Sequence, residues 1–287
     1  VSANCELELI EKGAFYESSI ESLSILSEKV ELENGWCMET PNLTKIIMSP
    51  KNSRYTYLDD KFVLGKSDPN INNYDVLIFA RRDIEKALIP SFIKIIGMYA
   101  FNSCKSLRNV EISIDSKLEI IDKCAFSGSP IESIMIPSSL KFLKDKWCDG
   151  IENLVNISIS DDNKHIMYLD EKFILCKSSE ESEIYDVLAF ARRDIKEAII
   201  PKYIKTIGSC AFSYCHHLEH VEIPEDSELQ VIDKSAFLDT PIKEIFIPKY
   251  VKIIGKNAFS NCEKLRNVDF AENSELLSME KAAFYKS

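Results

Sequence analysis

Residues 7–117 and 118–228 align without a gap at an offset of 111 and are identical at roughly half of their positions. A chain that repeats itself so densely folds as stacked copies of one small unit, because a single unit cannot bury its apolar face alone. A shorter repeat runs inside the long one. Ala-Phe recurs at Ala14-Phe15, Ala100-Phe101, Ala125-Phe126, Ala211-Phe212, Ala236-Phe237, Ala258-Phe259 and Ala283-Phe284, with steps of 25 or 22 residues between neighbouring phenylalanines from Phe101 to Phe126 and from Phe212 onward. Trp36-Cys37 and Trp147-Cys148 stand at two further equivalent places.

Each short unit carries an alternating segment such as Ile131-Glu-Ser-Ile-Met-Ile-Pro137 or Ile242-Lys-Glu-Ile-Phe-Ile-Pro248. Alternation of branched side chains marks a half-buried strand, and proline ends it. A return segment of the type Val251-Lys-Ile-Ile-Gly-Lys-Asn-Ala-Phe259 follows, and its spacing predicts an extended turn leading into a short helical turn. One strand and one return per 20–25 residues is the leucine-rich repeat period. The expectation is therefore an α/β solenoid over residues 1–287, with a curved parallel sheet of about ten strands and short helical turns on the opposite side. Two units are enlarged, near 51–83 and 162–194. In each, two apolar runs flank a variable polar loop and end in Ala-Arg-Arg-Asp, at Arg81-Arg82-Asp83 and Arg192-Arg193-Asp194. Such runs predict a β-hairpin protruding from the solenoid, and an arginine–aspartate ion pair pinning it to the body.

Composition narrows the function. With 46 acidic against 35 basic residues the formal charge is −11, a poor match to nucleic acid or an anionic membrane surface. No apolar run approaches the roughly 18 residues of a membrane span. The start, Val1-Ser2-Ala3-Asn4, lacks the features of a signal peptide, and the chain reads as a piece of a longer protein. Nine cysteines cannot all pair with one another. Cys104, Cys215 and Cys262 each sit three residues before a strand-opening leucine, which fits a buried column of free thiols.

The string Ile200-Pro-Lys-Tyr-Ile-Lys-Thr-Ile-Gly-Ser-Cys-Ala-Phe-Ser-Tyr-Cys-His-His-Leu218 resembles the BspA-like leucine-rich repeat, and the unit ending in Ala-Arg-Arg-Asp is similar to the form found in parasitic protists. The resemblance covers essentially the whole chain. It implies a cell-surface or secreted protein that binds host cells or extracellular matrix proteins such as fibronectin. An intracellular, cytoplasmic scaffold for protein–protein interaction is the competing reading. Trp36-Cys37 and Trp147-Cys148 depart from Ala-Phe, so the packing of those two units is open.

Nothing in the sequence carries catalysis. Nucleophile elbows, phosphate loops, zinc-spaced cysteine pairs and dinucleotide fingerprints are missing from it, so no enzyme activity and no cofactor are expected. Cys215, His216, His217 and His220 are the one concentration of metal-ligand types, but the internal copy carries Lys105, Ser106 and Asn109 at the places of the three histidines. They read as an exposed turn and an outward strand position. What remains is a protein-binding surface. Strand periodicity points Lys45, Ile47, Lys86, Leu88, Asn109, Glu111, Ser133, Met135, Asn156, Ser158, Glu197, Ile199, His220, Glu222, Glu244 and Phe246 outward. Ten strands would make a strip near 50 Å long at about 4.8 Å each. The hairpin tips are the alternative contact. The repeat pattern runs to both ends of the chain, which predicts fraying or end-to-end self-association of the terminal units.

Overall fold

The front strands are three or four residues long, and in the central rungs their alternate side chains are buried. Ala87, Ile89, Val110, Ile112, Ile134 and Ile136 point inward, each at 4% exposure or less. The computed structural model describes residues 6–287. Two compact units account for the chain: Val1–Ile151 with Ser160–Asp162, and Glu152–Ile159 with Asn163–Ser287. In the first unit Ser22–Ile25 pairs in parallel with Lys45–Met48, and Lys86–Ile89, Asn109–Ile112 and Ser133–Ile136 form a second parallel ladder. In the second, Glu197–Ile199 pairs with His220–Glu222, and Glu244–Ile247 with Asn267–Phe270. After a turn the chain runs through a two-residue strand, such as Ile95–Ile96, Ile120–Ile121 and Phe142–Leu143, which builds a second parallel sheet.

The expected helical turns are not there, and no helix occurs among the described residues. The return segment is a run of linked β-turns. Ala100, Asn102 and Cys104 donate their amides three residues back, to Gly97, Tyr99 and Phe101, while Tyr99, Phe101 and Ser103 donate to Lys123, Ala125 and Ser127 of the next rung. Every second amide leaves its own rung, whereas an α-helix would bond each one four residues back. Tyr99 and Ser103 take φ of +60° and +59°, and such a pair four residues apart recurs as Gly13/Glu17, Gly35/Glu39, Cys124/Gly128, Lys146/Gly150, Cys210/Tyr214, Ser235/Asp239, Asn257/Asn261 and Ala282/Lys286.

These turns stack their phenylalanines. Ring centroids are 5.0 Å apart for Phe101–Phe126, and 4.8, 5.1 and 4.9 Å along Phe212–Phe237–Phe259–Phe284, with interplanar angles of 14° or less. Offset stacks of this kind add about 0.5–1.5 kcal/mol per pair to the burial itself. Trp36, where Ala-Phe is replaced, is buried and meets Phe15 edge-on at 6.0 Å and Phe79 at 5.9 Å. The eight described cysteines are buried. Their column is not purely apolar packing: Cys262 donates to Phe237 O, while Thr40 and Thr240, at equivalent places, donate to Cys37 O and Phe237 O.

The enlarged units depart from the protruding hairpin. In the first, Thr56–Leu58, Phe62–Gly65 and Val76–Ala80 form an antiparallel meander, and Val76–Ala80 joins Ile95–Ile96 of the second sheet in parallel. Phe62, Val63 and Leu64 are buried and Thr56–Leu58 is half-buried, so the middle strand is core and none of the arms projects into solvent. Only the connections are exposed. In the second unit Ile166–Leu169, Phe173–Cys176 and Val187–Ala191 repeat the arrangement. Buried carboxylates fasten the long connections: Asp75 accepts from Ser67 N at 2.8 Å and Ser67 Oγ at 2.7 Å, and Asp186 from Ser178 N and Oγ at 3.0 and 3.1 Å. The two arginines of each Arg-Arg-Asp divide the pinning role. Arg81 forks onto its neighbour Asp83 at 2.7 and 2.8 Å at the surface. Arg82 is the buried pin, reaching Ala100 O at 3.0 Å and Cys37 O at 3.5 Å, with its guanidinium 4.5 Å from the Phe79 ring centroid. Arg192 and Arg193 divide in the same way, the first onto Asp194 and the second onto Ala211 O.

Candidate protein-binding surface

Of the sixteen candidate strand residues thirteen are exposed and three are half-buried, and they do not lie on one strip. In the first unit Lys45 and Ile47 stand on a two-strand ladder, and Lys86, Leu88, Asn109, Glu111, Ser133 and Met135 on a separate one. The inserted meander lies between these strands in the sequence and breaks the front sheet. In the second unit Glu197, Ile199, His220 and Glu222 form one patch, Glu244 and Phe246 belong to the next ladder, and Asn156 and Ser158 lie on the strand preceding the meander. A single ten-strand strip is therefore replaced by shorter patches.

Exposure separates the apolar candidates. Leu88 is 64% and Ile199 60% exposed, and Ile47 41%. Ser133, Met135 and Phe246 are half-buried. The polar neighbours are tied together: Lys86 Nζ lies 2.6 Å from Glu111 Oε1, and Ser133 Oγ donates to Asn109 Oδ1 at 2.7 Å. On the second unit the face is acidic, with Glu197, Glu222, Glu244 and Asp269 exposed beside His220. Sequence reasoning missed Ile114, 68% exposed, and Phe92, 45% exposed, which follow their strands in loops. Ile114 had a signal, since the internal copy carries Glu225 at its place.

Two clefts, also unforeseen, open in the first unit beside the inserted meander. One, about 660 Å³, is lined by Glu31, Glu33, Asn34, Arg54, Tyr55 and Lys66, with Arg54 paired to Glu31 at 3.0 Å and Tyr55 Oη accepting from Leu32 N at 2.8 Å. The other, about 550 Å³, runs along residues 44–48 and is walled by Tyr57, Asp60, Arg81 and Asp83. Burial pushes the Cys37 thiol up to about 11 and the Cys176 thiol up to about 12, which keeps both protonated and poorly nucleophilic. Cys215 is buried against Arg193, His216 and His217 are exposed, and His220 points outward, so the four candidate ligands do not converge. Among the described residues no three His, Cys, Asp or Glu side chains are placed to hold a metal ion.

No curated protein sequence matches the chain. Among solved structures it is similar to the pneumococcal vaccine antigen PcpA, at 18% identity and a TM-score of 0.60 over 96% of this chain and 71% of that one. A leucine-rich cell surface protein of Faecalibacterium prausnitzii aligns over 92% of this chain and 83% of its own, at 16% identity and a TM-score of 0.53. A leucine-rich repeat protein of Eubacterium ventriosum aligns with 66% of this chain at 24% identity and a TM-score of 0.49, and the chain spans 61% of its length. At these identities the likeness is one of fold. The family model described as "BspA type Leucine rich repeat region" matches six copies over residues 1–62, 71–186 and 182–287. With its rungs, turns and repeat period matched over nearly its whole length, the chain belongs to the BspA-type leucine-rich repeat family.

Proposed function

We propose that the chain is a non-enzymatic protein-binding repeat region of a cell-surface protein, and that it holds host-cell or extracellular matrix proteins through its outward strand face. The observation that carries this reading is the exposure of Leu88 and Ile199, at 64% and 60%, on the solvent side of their strands, Leu88 within its strand and Ile199 at the end of its own. They occupy the same position in the two long repeats, and each is flanked by charged side chains. An apolar anchor inside a polar rim is the anatomy of a protein interface. The surface setting comes from the family and from two structures of like fold, one named a cell surface protein and the other a vaccine antigen. The acidic face of the second unit favours a basic partner, whose association would slow as salt screens it.

The test is binding of the labelled chain to epithelial cells and to immobilised matrix proteins, beside a Leu88→Glu/Ile199→Glu variant of unchanged circular dichroism. The expected result is saturable binding that weakens roughly tenfold or more in the variant, since loss of an interface anchor costs about 2 kcal/mol. Equal binding by the variant, or none by either protein, overturns the reading. Buried, unbridged thiols such as Cys37, Cys104, Cys215 and Cys262 favour a second one, an intracellular scaffold that uses the same face.

A further inference from the structure

The front ladder of the first unit stops at Lys45–Met48, which pairs with Ser22–Ile25 and with no other strand among the described residues. Lys45 N and Ser49 N donate to Glu21 O and Ile25 O. Peptide groups alternate sides along a strand, so those of Lys45 and Ile47 face the existing ladder and those of Ile46 and Met48 face away from it. On that free side lies the cleft of about 550 Å³ bounded by Tyr57, Asp60, Arg81 and Asp83. That edge makes no ladder pairing at Ile46 and Met48, while Arg82 N donates to Leu43 O at its start, and an open strand edge is a template for another chain.

The neighbouring ladder shows what such an edge takes. Lys86-Ala-Leu88 has the same lysine–x–aliphatic pattern as Lys45-Ile-Ile47. It is covered by Asn109–Ile112, whose Glu111 sits 2.6 Å from the Lys86 ammonium. Lys45 has no acidic partner among the described residues. We propose that the cleft is a strand-addition site, in which an extended segment of a partner protein pairs main chain to main chain with Ile46 and Met48 and sets a carboxylate against Lys45. Backbone pairing gives the affinity and the side chains beside Lys45 and Ile47 give the selectivity. The second long repeat carries Asn156 and Ser158 at these positions, so the acidic preference belongs to the first unit alone. The inference rests on the protein-binding reading and specifies one contact within it.

The probe is the acetylated, amidated hexapeptide Leu-Arg-Asn-Val-Glu-Ile, the sequence of residues 107–112, titrated into isotope-labelled chain and followed by amide chemical shifts. Shifts centred on residues 44–48, 57 and 81–83 are expected. Methylating alternate peptide amides should abolish binding in one phase and spare it in the other. Replacing the peptide glutamate by lysine should weaken binding roughly tenfold, about 1.4 kcal/mol, because an attraction becomes a repulsion, and Lys45→Glu should restore it for the lysine peptide. No shifts at millimolar peptide, binding indifferent to the methylation phase, or a charge swap that fails overturns the proposal. Sedimentation that shows a dimer of the unliganded chain, lost in Lys45→Glu, also overturns it by making a second copy the occupant. Cell binding that still depends on Leu88 and Ile199 while the peptide fails would leave the protein-binding reading standing and remove strand addition.

Discussion

Arg82 is a guanidinium buried to 1% exposure with no carboxylate beside it. It lies where the inserted meander interrupts the column of turns, and its two Nη atoms reach Ala100 O on one side and Cys37 O on the other. In uninterrupted rungs an amide of one turn meets the carbonyl of the next; here a side chain spans the longer distance. A guanidinium suits the position because its planar fork offers several donors in fixed directions. Arg82→Ala should therefore cost about 3 kcal/mol, from carbonyl bonds near 1 kcal/mol each and a cavity beside Phe79. Arg81→Ala, which loses only an exposed pair, should cost under about 1 kcal/mol. Urea melts of the two variants would refute the assignment if they shifted alike. The sequence marks the Arg-Arg-Asp string by repeating it, but adjacent identical residues carry no sign of which one turns inward.

The inserted meander holds its long connection through Asp75. Burial pulls this carboxyl up, but the bonds from the Ser67 amide and hydroxyl and the nearby Lys94 outweigh it, leaving the group below the ordinary carboxylate value. A group lowered in the folded state stabilises above its unfolded pKa of about 3.9, and that contribution fades as pH falls through the lower folded value. Thermal melts from about pH 7 down to about pH 2 should show this acid-side loss. Asp75→Asn should be less stable at neutral pH and lose part of the acid slope, and an unchanged slope would remove the carboxylate from the account. At this scale strands were legible, because a two-residue period is visible in Asn109-Val-Glu-Ile112 without reference to anything else. The turn column was not. Gly-x-x-Ala-Phe suits a helical turn as well as two linked β-turns, and the choice depends on amides such as Phe101 N finding carbonyls 24 residues away at Ala125. The buried meander arms escaped notice for a related reason, since apolar runs such as Phe62-Val-Leu64 fit an arm packed into a sheet as well as a projecting one.

Over the whole molecule, stability should follow the stacks. Phe237 lies between Phe212 and Phe259 at 4.8 and 5.1 Å and is fully buried. Phe237→Ala should cost about 3–5 kcal/mol. Because each rung is coupled mainly to its neighbours, hydrogen exchange should accelerate around Ile207, Ile232 and Ile254 far more than around Ile96 and Ile121; uniform acceleration would contradict nearest-neighbour coupling. The outward residues were readable as a face, since period and repeat fix which side each occupies. Their division into patches was not, because it follows from a front ladder that stops where the meander begins. The buried thiols have a consequence for biosynthesis. All eight described cysteines are shielded only once their rungs have stacked, so a nascent chain in an oxidising compartment would run a race between rung closure and sulfur oxidation. Contacts 22–25 residues apart can form as synthesis proceeds, whereas a disulfide needs seconds to hours. Each completed rung would take its thiols out of that competition, making chain order itself the safeguard against scrambled cross-links.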